Sequence, residues 1–499
     1  MKLCDLLQEL KDYHIRGNER VTITKVCHDS AKAEPGSVFV CLRGSDFDGH
    51  DFLRTVIEAG AVAVVIQEGY IIEPALEDMI INRGGAMIQV PSTRYALAYL
   101  SAAFYGHPAN RITTIGITGT KGKTTTAYLM REALQQAGLK VGLIGTIETI
   151  VGEEHIPAKN TTPEAGLLQE YLFRMVEAGM DAVVMEVSSQ GLKMHRTEGF
   201  VFDYGIFTNL GEDHIGPNEH QDMDEYMECK SRLFKQCRVG IVNCDDTCWK
   251  RIVEGNTCQL ETYGFSEEAD YRVTETKLLQ DAGNLAVAFA VKMPYEEETY
   301  FFRTATPGTF SVYNSLAAIA LCRHFGIEPQ KIAGVLKTAR IKGRMEVVEV
   351  PDDYTLLIDY AHNAMSLESL LQTLREYEPN RLICLFGCGG NRSRTRRVEM
   401  GQVSGRLADL TIITSDNPRF EEPQAIIEDI KTGIVPTGGE YVEICDRREA
   451  IEYGMQIAGK GDVLVLAGKG HEDYQEIRGV KYPMDERIII REILGKEGT

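Results

Sequence analysis

Short apolar runs recur along the chain, separated by longer stretches in which apolar residues return every three or four positions. The first pattern suits strands buried on both faces, and the second suits amphipathic helices. In residues 1–106, GSVFVCL and AVAVVIQ predict strands, with a helix between them at DGHDFLRTVIEAG. YGHPANR, residues 105–111, places Gly, Pro and Asn together and predicts a linker. Beyond it, ITTIGIT, KVGLIGT, DAVVMEVSS, YGIFTNL and VGIVN alternate with helical stretches. After RIKGRMEVVEV, residues 340–350, the alternation restarts through YTLLIDYA, RLICLFG, LTIITSDNP, EYVEICD and GDVLVLAGKG. The whole predicts an α/β chain of three domains, 1–106, 107–340 and 341–499, with largely parallel sheets covered on both faces. The third domain reads as doubly wound. Ligands are therefore expected at the carboxyl ends of its strands.

Length agrees with this partition, since 499 residues at about 100–200 per domain allow three. A formal net charge of −20 argues against nucleic acid or an anionic membrane as partner, while leaving room for a locally basic cleft. The 12 cysteines include no C-x-x-C pair. Cys244, Cys248, Cys384 and Cys388 are read as buried thiols of a reducing cytosol. MKLCDLLQELKDYHI lacks the apolar core of a secretory signal, and no run approaches the ~18 apolar residues of a membrane span. A cytoplasmic monomer acting on small molecules is expected.

The candidate chemistry begins at GITGTKGKTTT, between a predicted strand and a predicted helix. Gly119 and Gly122 let the backbone amides curl around an anion, with Thr120 and Lys121 between them. Lys123 adds charge, Thr124 offers a hydroxyl to magnesium, and Thr125 follows. Ile117 stands where the standard phosphate loop has its first glycine; glycines occupy 116 and 119 instead. ATP is the expected ligand. Two other apolar runs end in polar residues, MEVSS at Glu186 and FTNLGEDHI at Asn209, Asp213 and His214. Magnesium favours oxygen ligands, which makes Glu186 a candidate and His214 alone a poor one. Lys230, four residues after Tyr226 in a helical pattern, reads as a solvated lysine, because an ammonium cannot bind a metal.

TGTKGKTTT, NTTPE, MEVSS, FTNLGEDHI, YMECKSRLF, VYNSLAAIA, GRME, DYAHN, SDNPRFEEP and AGKGHEDYQ occur in the order found in Mur ligases. The chain resembles that family from about residue 25 to about 490. The resemblance implies a small N-terminal α/β domain for a UDP-sugar, a central P-loop domain for ATP and a C-terminal Rossmann-like domain for an amino acid. It implies that an amino acid is joined to the D-glutamate of UDP-N-acetylmuramoyl-L-alanyl-D-glutamate through an acyl phosphate. Lys123, Glu186, His214 and Lys230 then become the catalytic set, and Thr124, Glu186, His214 and Lys230 the metal group. Lys230 matches a lysine that family members carry as a carbamate, an anion in place of an ammonium.

By the same resemblance, Asn314, Arg344 and Asp359 match nucleotide positions. Ser30 and the turn RGSDFDGH match the uridine site, while Asn160, Thr161, Thr162, Ser188 and Arg196 match the peptide site. Arg392, Asp416, Asn417, Pro418, Arg419, Gly468 and Glu472 match the amino-acid pocket. There Arg419 could pair with the distal carboxylate of meso-diaminopimelate, which L-lysine lacks. Gln190 and Met194 depart from the family's usual His and Gln, DYAHNAMSL lacks a proline and HDSAK an arginine. The rival readings are a family ligase for L-lysine, folylpolyglutamate synthesis, and a non-catalytic nucleotide-binding regulator.

Overall fold

The structure is a computed structural model that describes residues 1–44, 47–212, 215–216, 219–281, 284–351 and 354–495. Two compact units emerge, Met1–Asp270 with Ala317–Ile327, and Tyr271–Leu316 with Glu328–Thr499.

In the first unit, the strands run in the spatial order His14–Gly17, Ala86–Val90, Ala63–Gln67, Ser37–Val40 and Lys25–Cys27. All pair in parallel except the edge strand His14–Gly17. The helix expected over DGHDFLRTVIEAG forms later and shorter, a 3-10 turn at Gly49–Phe52 and then Leu53–Glu58. Asp48 explains the delay, because its carboxylate accepts the His50 amide and caps the 3-10 turn first. YGHPANR includes a second 3-10 turn, Pro108–Arg111.

A second sheet of this unit orders Glu148–Val151, Val141–Ile144, Ala182–Glu186, Thr113–Thr118, Phe202–Phe207, Cys237–Asn243 and Gln259–Gly264. The last six strands are parallel. Every residue of Ala182–Glu186 is buried, which is why its sequence is a continuous apolar run instead of an alternating one. Gly116 belongs to the strand, not the loop. A Cβ there would come 3.0 Å from the Phe202 ring.

The second unit holds a sheet in the order Glu346–Val348, Thr355–Asp359, Val463–Ala467, Leu382–Phe386, Leu410–Ile413 and Tyr441–Glu443, parallel after its first strand. The helix Ala364–Arg375 shows why the face is covered. Asn363 caps it by accepting the Ser366 amide, and Leu367, Leu370, Leu371 and Leu374 share one buried face. They pack in a cluster with Phe386 and Ile413, while Ala450, Ile451 and Met455 cover Ile358, Leu385 and Leu466 on the other side.

Several antiparallel features have no counterpart in the sequence pattern as read above, among them the hairpin Glu148–Val151/Glu154–Pro157. Tyr271–Asp281, Asn284–Lys292 and Thr299–Thr304 form a meander, and Tyr474–Ile477 pairs with Val480–Pro483. All 12 cysteines are free. Cys384 and Cys388 are buried as expected, but Cys244 and Cys248 are only half-buried, since they lie where the chain has left the sheet. No helix among the described residues is long and apolar enough to cross a membrane.

Candidate active site

The loop after Thr113–Thr118 is held in shape before any ligand arrives. Gly119 has φ +149°, and a Cβ there would lie 1.9 Å from Thr208 Oγ1, so glycine is required. Gly122, at φ +85°, is the N-cap of the helix Lys123–Gln136 and has no side chain to cap it. Its first amides are thereby left to face an anion. The Lys123 ammonium folds back over the loop, donating to the carbonyls of Gly119 at 2.9 Å and Thr120 at 3.0 Å. The end of the neighbouring strand clamps the far side. The Lys121 amide donates to Asn209 Oδ1 at 2.9 Å, and the Thr208 hydroxyl donates to the Lys121 carbonyl at 2.7 Å. Thr120 Oγ1 accepts the Gly211 amide at 2.9 Å and lies 3.1 Å from the Tyr226 hydroxyl. Thr125 is buried.

Thr124 and Glu186 meet as the sequence suggested: the Thr124 hydroxyl donates to Glu186 Oε2 at 2.9 Å. Thr146 adds its amide at 2.8 Å and its hydroxyl at 3.0 Å to the same carboxylate, which is 1% exposed. Donors therefore surround the Glu186 carboxylate. A hydroxyl from the first turn of a helix and a carboxylate from a strand end suit magnesium, which takes few protein ligands and keeps several waters. His214 lies outside the described residues, as does Asp213.

Lys230 corrects the solvated reading. On the helix Met223–Ser231 it is 1% exposed, with Nζ 4.4 Å from the Tyr226 ring centre and 2.8 Å from the Gly119 carbonyl. The helix buries Met227 in an apolar cluster and turns Tyr226 and Lys230 to the phosphate loop.

The peptide-site candidates gather beside Glu186. The Thr162 hydroxyl donates to the Glu186 carbonyl at 3.0 Å and accepts the Ser188 amide at 2.9 Å. Thr161 Oγ1 lies 3.0 Å from Thr146 Oγ1. Arg196 donates to the Thr162 carbonyl at 3.0 Å and pairs with Glu164. Asn160 is exposed and Ser30 half-buried, the latter opening a short 3-10 turn capped by Asp29. In the turn RGSDFDGH, Ser45 and Asp46 lie outside the described residues. Arg43 pairs there with Asp48, and the buried His50 accepts the Gln67 amide through Nε2 at 3.1 Å.

In the second unit, Asp359 accepts the amides of Met345 and Ala361, each at 2.8 Å. Burial pushes its carboxyl above the ordinary range, opposed by Arg344. The Arg344 guanidinium lies 4.9 Å from the Tyr360 ring centre. Asn314 is buried on the helix Phe310–His324.

Gly468, Asp416, Asn417, Pro418, Arg419 and Glu472 converge at strand ends. A Cβ on Gly468 would approach Asp416 Oδ2 to 2.9 Å, and Asn417 Nδ2 donates to Glu472 Oε2 at 2.8 Å. Gly390 passes so close to Pro418 that a Cβ would lie 1.9 Å from the Pro418 carbonyl oxygen. A Cβ on Gly389 would lie 2.8 Å from Arg419 Nη1 and 3.8 Å from the Cγ of exposed Arg392, so the two arginines flank one point.

Arg419 and Glu472 each have a charged partner within the chain. Arg419 pairs with Glu476 at 3.1 Å and donates to the Gly390 carbonyl at 2.8 Å. Glu472 is bound at 2.9 Å by Lys469, which is 0% exposed and also donates to Asn417 Oδ1 at 3.1 Å. Lys469 was missed although AGKGHE contains it; no spacing rule distinguishes a buried lysine from a surface one. Tyr226, Thr146 and Glu164 were missed as well, although YMECKSRLF, KVGLIGT and NTTPE contain them.

Residues 22–105 match the model of the Mur ligase family catalytic domain, 117–322 that of the Mur ligase middle domain, and 343–470 that of the Mur ligase glutamate ligase domain. A UDP-N-acetylmuramoyl-L-alanyl-D-glutamate–2,6-diaminopimelate ligase of Caldanaerobacter subterraneus subsp. tengcongensis is 40% identical over 497 residues, 99% of each chain. The enzyme of the same name from Clostridioides difficile is 38% identical over 501 residues, 99% of this chain and 100% of that one. A solved structure of such a ligase aligns over 100% of both chains with a TM-score of 0.71 at 28% identity.

Proposed function

The chain belongs to the Mur ligase family, and from that membership we infer how its two sets of strand ends share one reaction. It is an ATP-dependent ligase that adds 2,6-diaminopimelate to UDP-N-acetylmuramoyl-L-alanyl-D-glutamate in peptidoglycan precursor synthesis. We assign residues 1–106 to the UDP-sugar, 107–340 to ATP and 341–499 to the amino acid. A cytoplasmic monomer is part of the same reading, because an ATP-consuming ligase must work where ATP is held.

A carboxylate is a poor electrophile, since oxide is not expelled. Transfer of the ATP γ-phosphoryl to the glutamate γ-carboxylate gives an acyl phosphate, and the amine then attacks its carbonyl as phosphate leaves. Lys123 and the loop amides hold the phosphates, while Arg196, Thr162 and Ser188 hold the peptide. The difficulty is the approach of two anions. Thr124 and Glu186, with His214 and a carbamylated Lys230, would hold magnesium, which supplies the positive charge that this approach needs. We assign Asn314, Arg344 and Asp359 to the nucleotide as well. Asp416–Arg419, Arg392, Gly468 and Glu472 orient the meso-diaminopimelate.

The observation that carries the reading is the bond between Thr124 and Glu186 beside a preformed phosphate loop. The test is phosphate release, measured with the UDP-dipeptide, the amino acid, both or neither. Release only when both are present is expected. Release that ignores the amino acid would overturn it. A panel of meso-diaminopimelate, L-lysine and L-ornithine then reads the specificity.

A further inference from the structure

Arg94 belongs to no motif quoted above, yet it joins two of them. It lies in the first turn of the helix Thr93–Phe104, whose N-terminus Ser92 fixes by accepting the Tyr95 amide. One arm of its guanidinium donates to the Arg43 carbonyl at 2.8 Å, in the turn expected to take the nucleotide end of the acceptor. The other reaches Glu164 Oε2 at 3.4 Å, and Glu164 Oε1 is bound by Arg196. The side chains of Arg94, Glu164 and Arg196 are only 21%, 22% and 17% exposed.

Two guanidiniums thus bracket one carboxylate, leaving a local positive excess in a chain of net charge −20. The elements behind the bracket are pressed together. A Cβ on Gly166, in the helix Ala165–Glu177, would lie 3.5 Å from Ser101 Oγ, and one on Gly199 would lie 3.1 Å from the Ala98 carbonyl. A guanidinium holds two acceptors on separate segments in one plane and one fixed direction; an ammonium at the end of a lysine offers no such planar fork.

We propose that Arg94 is a positioning residue for the acceptor, fixing the spacing between the Arg43–Asp48 turn and Arg196 by holding the Arg43 carbonyl and Glu164 together. This rests on the ligase reading for the identity of the acceptor. A ligand that spans both points, with a nucleotide at one end and a carboxylate at the other, gains from the fixed spacing. A ligand that ends before the peptide does not.

The test is calorimetric binding of UDP-N-acetylmuramoyl-L-alanyl-D-glutamate and of peptide-free UDP-N-acetylmuramate to the full chain. Arg94→Ala should weaken the first by about tenfold, the worth of one charged hydrogen bond, and the second by less than about twofold. Arg94→Lys should fall between wild type and Arg94→Ala, and it carries the test alone if Arg94→Ala does not fold. Equal weakening of both ligands would reveal a merely structural role, and no weakening of either would equally overturn the proposal. Failure of the ligase reading shows separately, as wild-type protein that binds the dipeptide but releases no phosphate.

Discussion

The Lys230 ammonium donates to the Gly119 carbonyl at 2.8 Å, across 111 positions of sequence, and so joins a buried helix face to the opening residue of the phosphate loop. A carbamate formed by the amine and carbon dioxide, with release of a proton, keeps an N–H for that carbonyl and adds two oxygens. Lys230→Ala should lose turnover by about a hundredfold or more. Short carboxylic acids with raised bicarbonate should restore part of it. An alanine variant as active as wild type without additives would sink the carbamate.

Glu186→Gln preserves the shape of a side chain bound by Thr124 and Thr146, and changes its charge. Turnover should fall by about 10²–10³-fold, as should that of Lys123→Ala, while affinity for the UDP-dipeptide survives. Steady-state kinetics at saturating ATP and magnesium would check this. Near-normal turnover in either variant contradicts the role assigned to it.

Arg419 sits at φ +51°, in the left-handed region that costs a non-glycine residue about 1 kcal/mol or more. Arg419→Gly should therefore melt no lower than Arg419→Ala. Both should raise the diaminopimelate Michaelis constant by more than about tenfold, since a buried charge pair is worth about 2–5 kcal/mol when broken. The constant for ATP should hardly move. Comparable efficiency with L-lysine and diaminopimelate in the wild type would show that the pocket reads something else.

His471 is packed 4.6 Å from the Tyr360 ring centre, with Arg344, Lys342, Arg487 and His362 nearby. Burial first, and those cations second, push its imidazole down to about 3 from an ordinary 6.5. The unfolded chain thus binds a proton between these values that the folded chain refuses. Its stabilising contribution is whole above pH 6.5 and is lost as the pH falls towards 3, by at most about 1.4 kcal/mol per unit. Denaturant melts should show stability falling less steeply with pH in His471→Gln than in wild type between pH 6.5 and 3 if this group is responsible. An unchanged slope assigns the acid sensitivity elsewhere.

Polar residues that end apolar runs were legible because a strand leaving its sheet must expose its next side chains where ligands bind. Glu186 falls in that class, whereas Thr124 was read from the glycine-rich loop before it, and Asp359 and Asp416 from the family resemblance. Lys469 and Arg94 were not, and Lys230 only through the resemblance, since each is buried or half-buried against polar partners. No periodicity marks such a residue. The meander from Tyr271 to Thr304 went unread although its middle strand carries the unbroken apolar run Leu285–Val291; its outer strands mix polar and apolar residues.

Arg419 is tied through its main chain to the hairpin Tyr474–Ile477/Val480–Pro483, its amide to the Glu476 carbonyl at 3.0 Å and its carbonyl to the Arg478 amide at 2.6 Å. The four-residue motif is thus only half of a portable part. Grafted into a related chain without the hairpin, DNPR would arrive with its arginine unanchored in direction. Moved together with residues 474–483, it would carry its aim along, and redesign of amino-acid choice can treat the two segments as a single cassette.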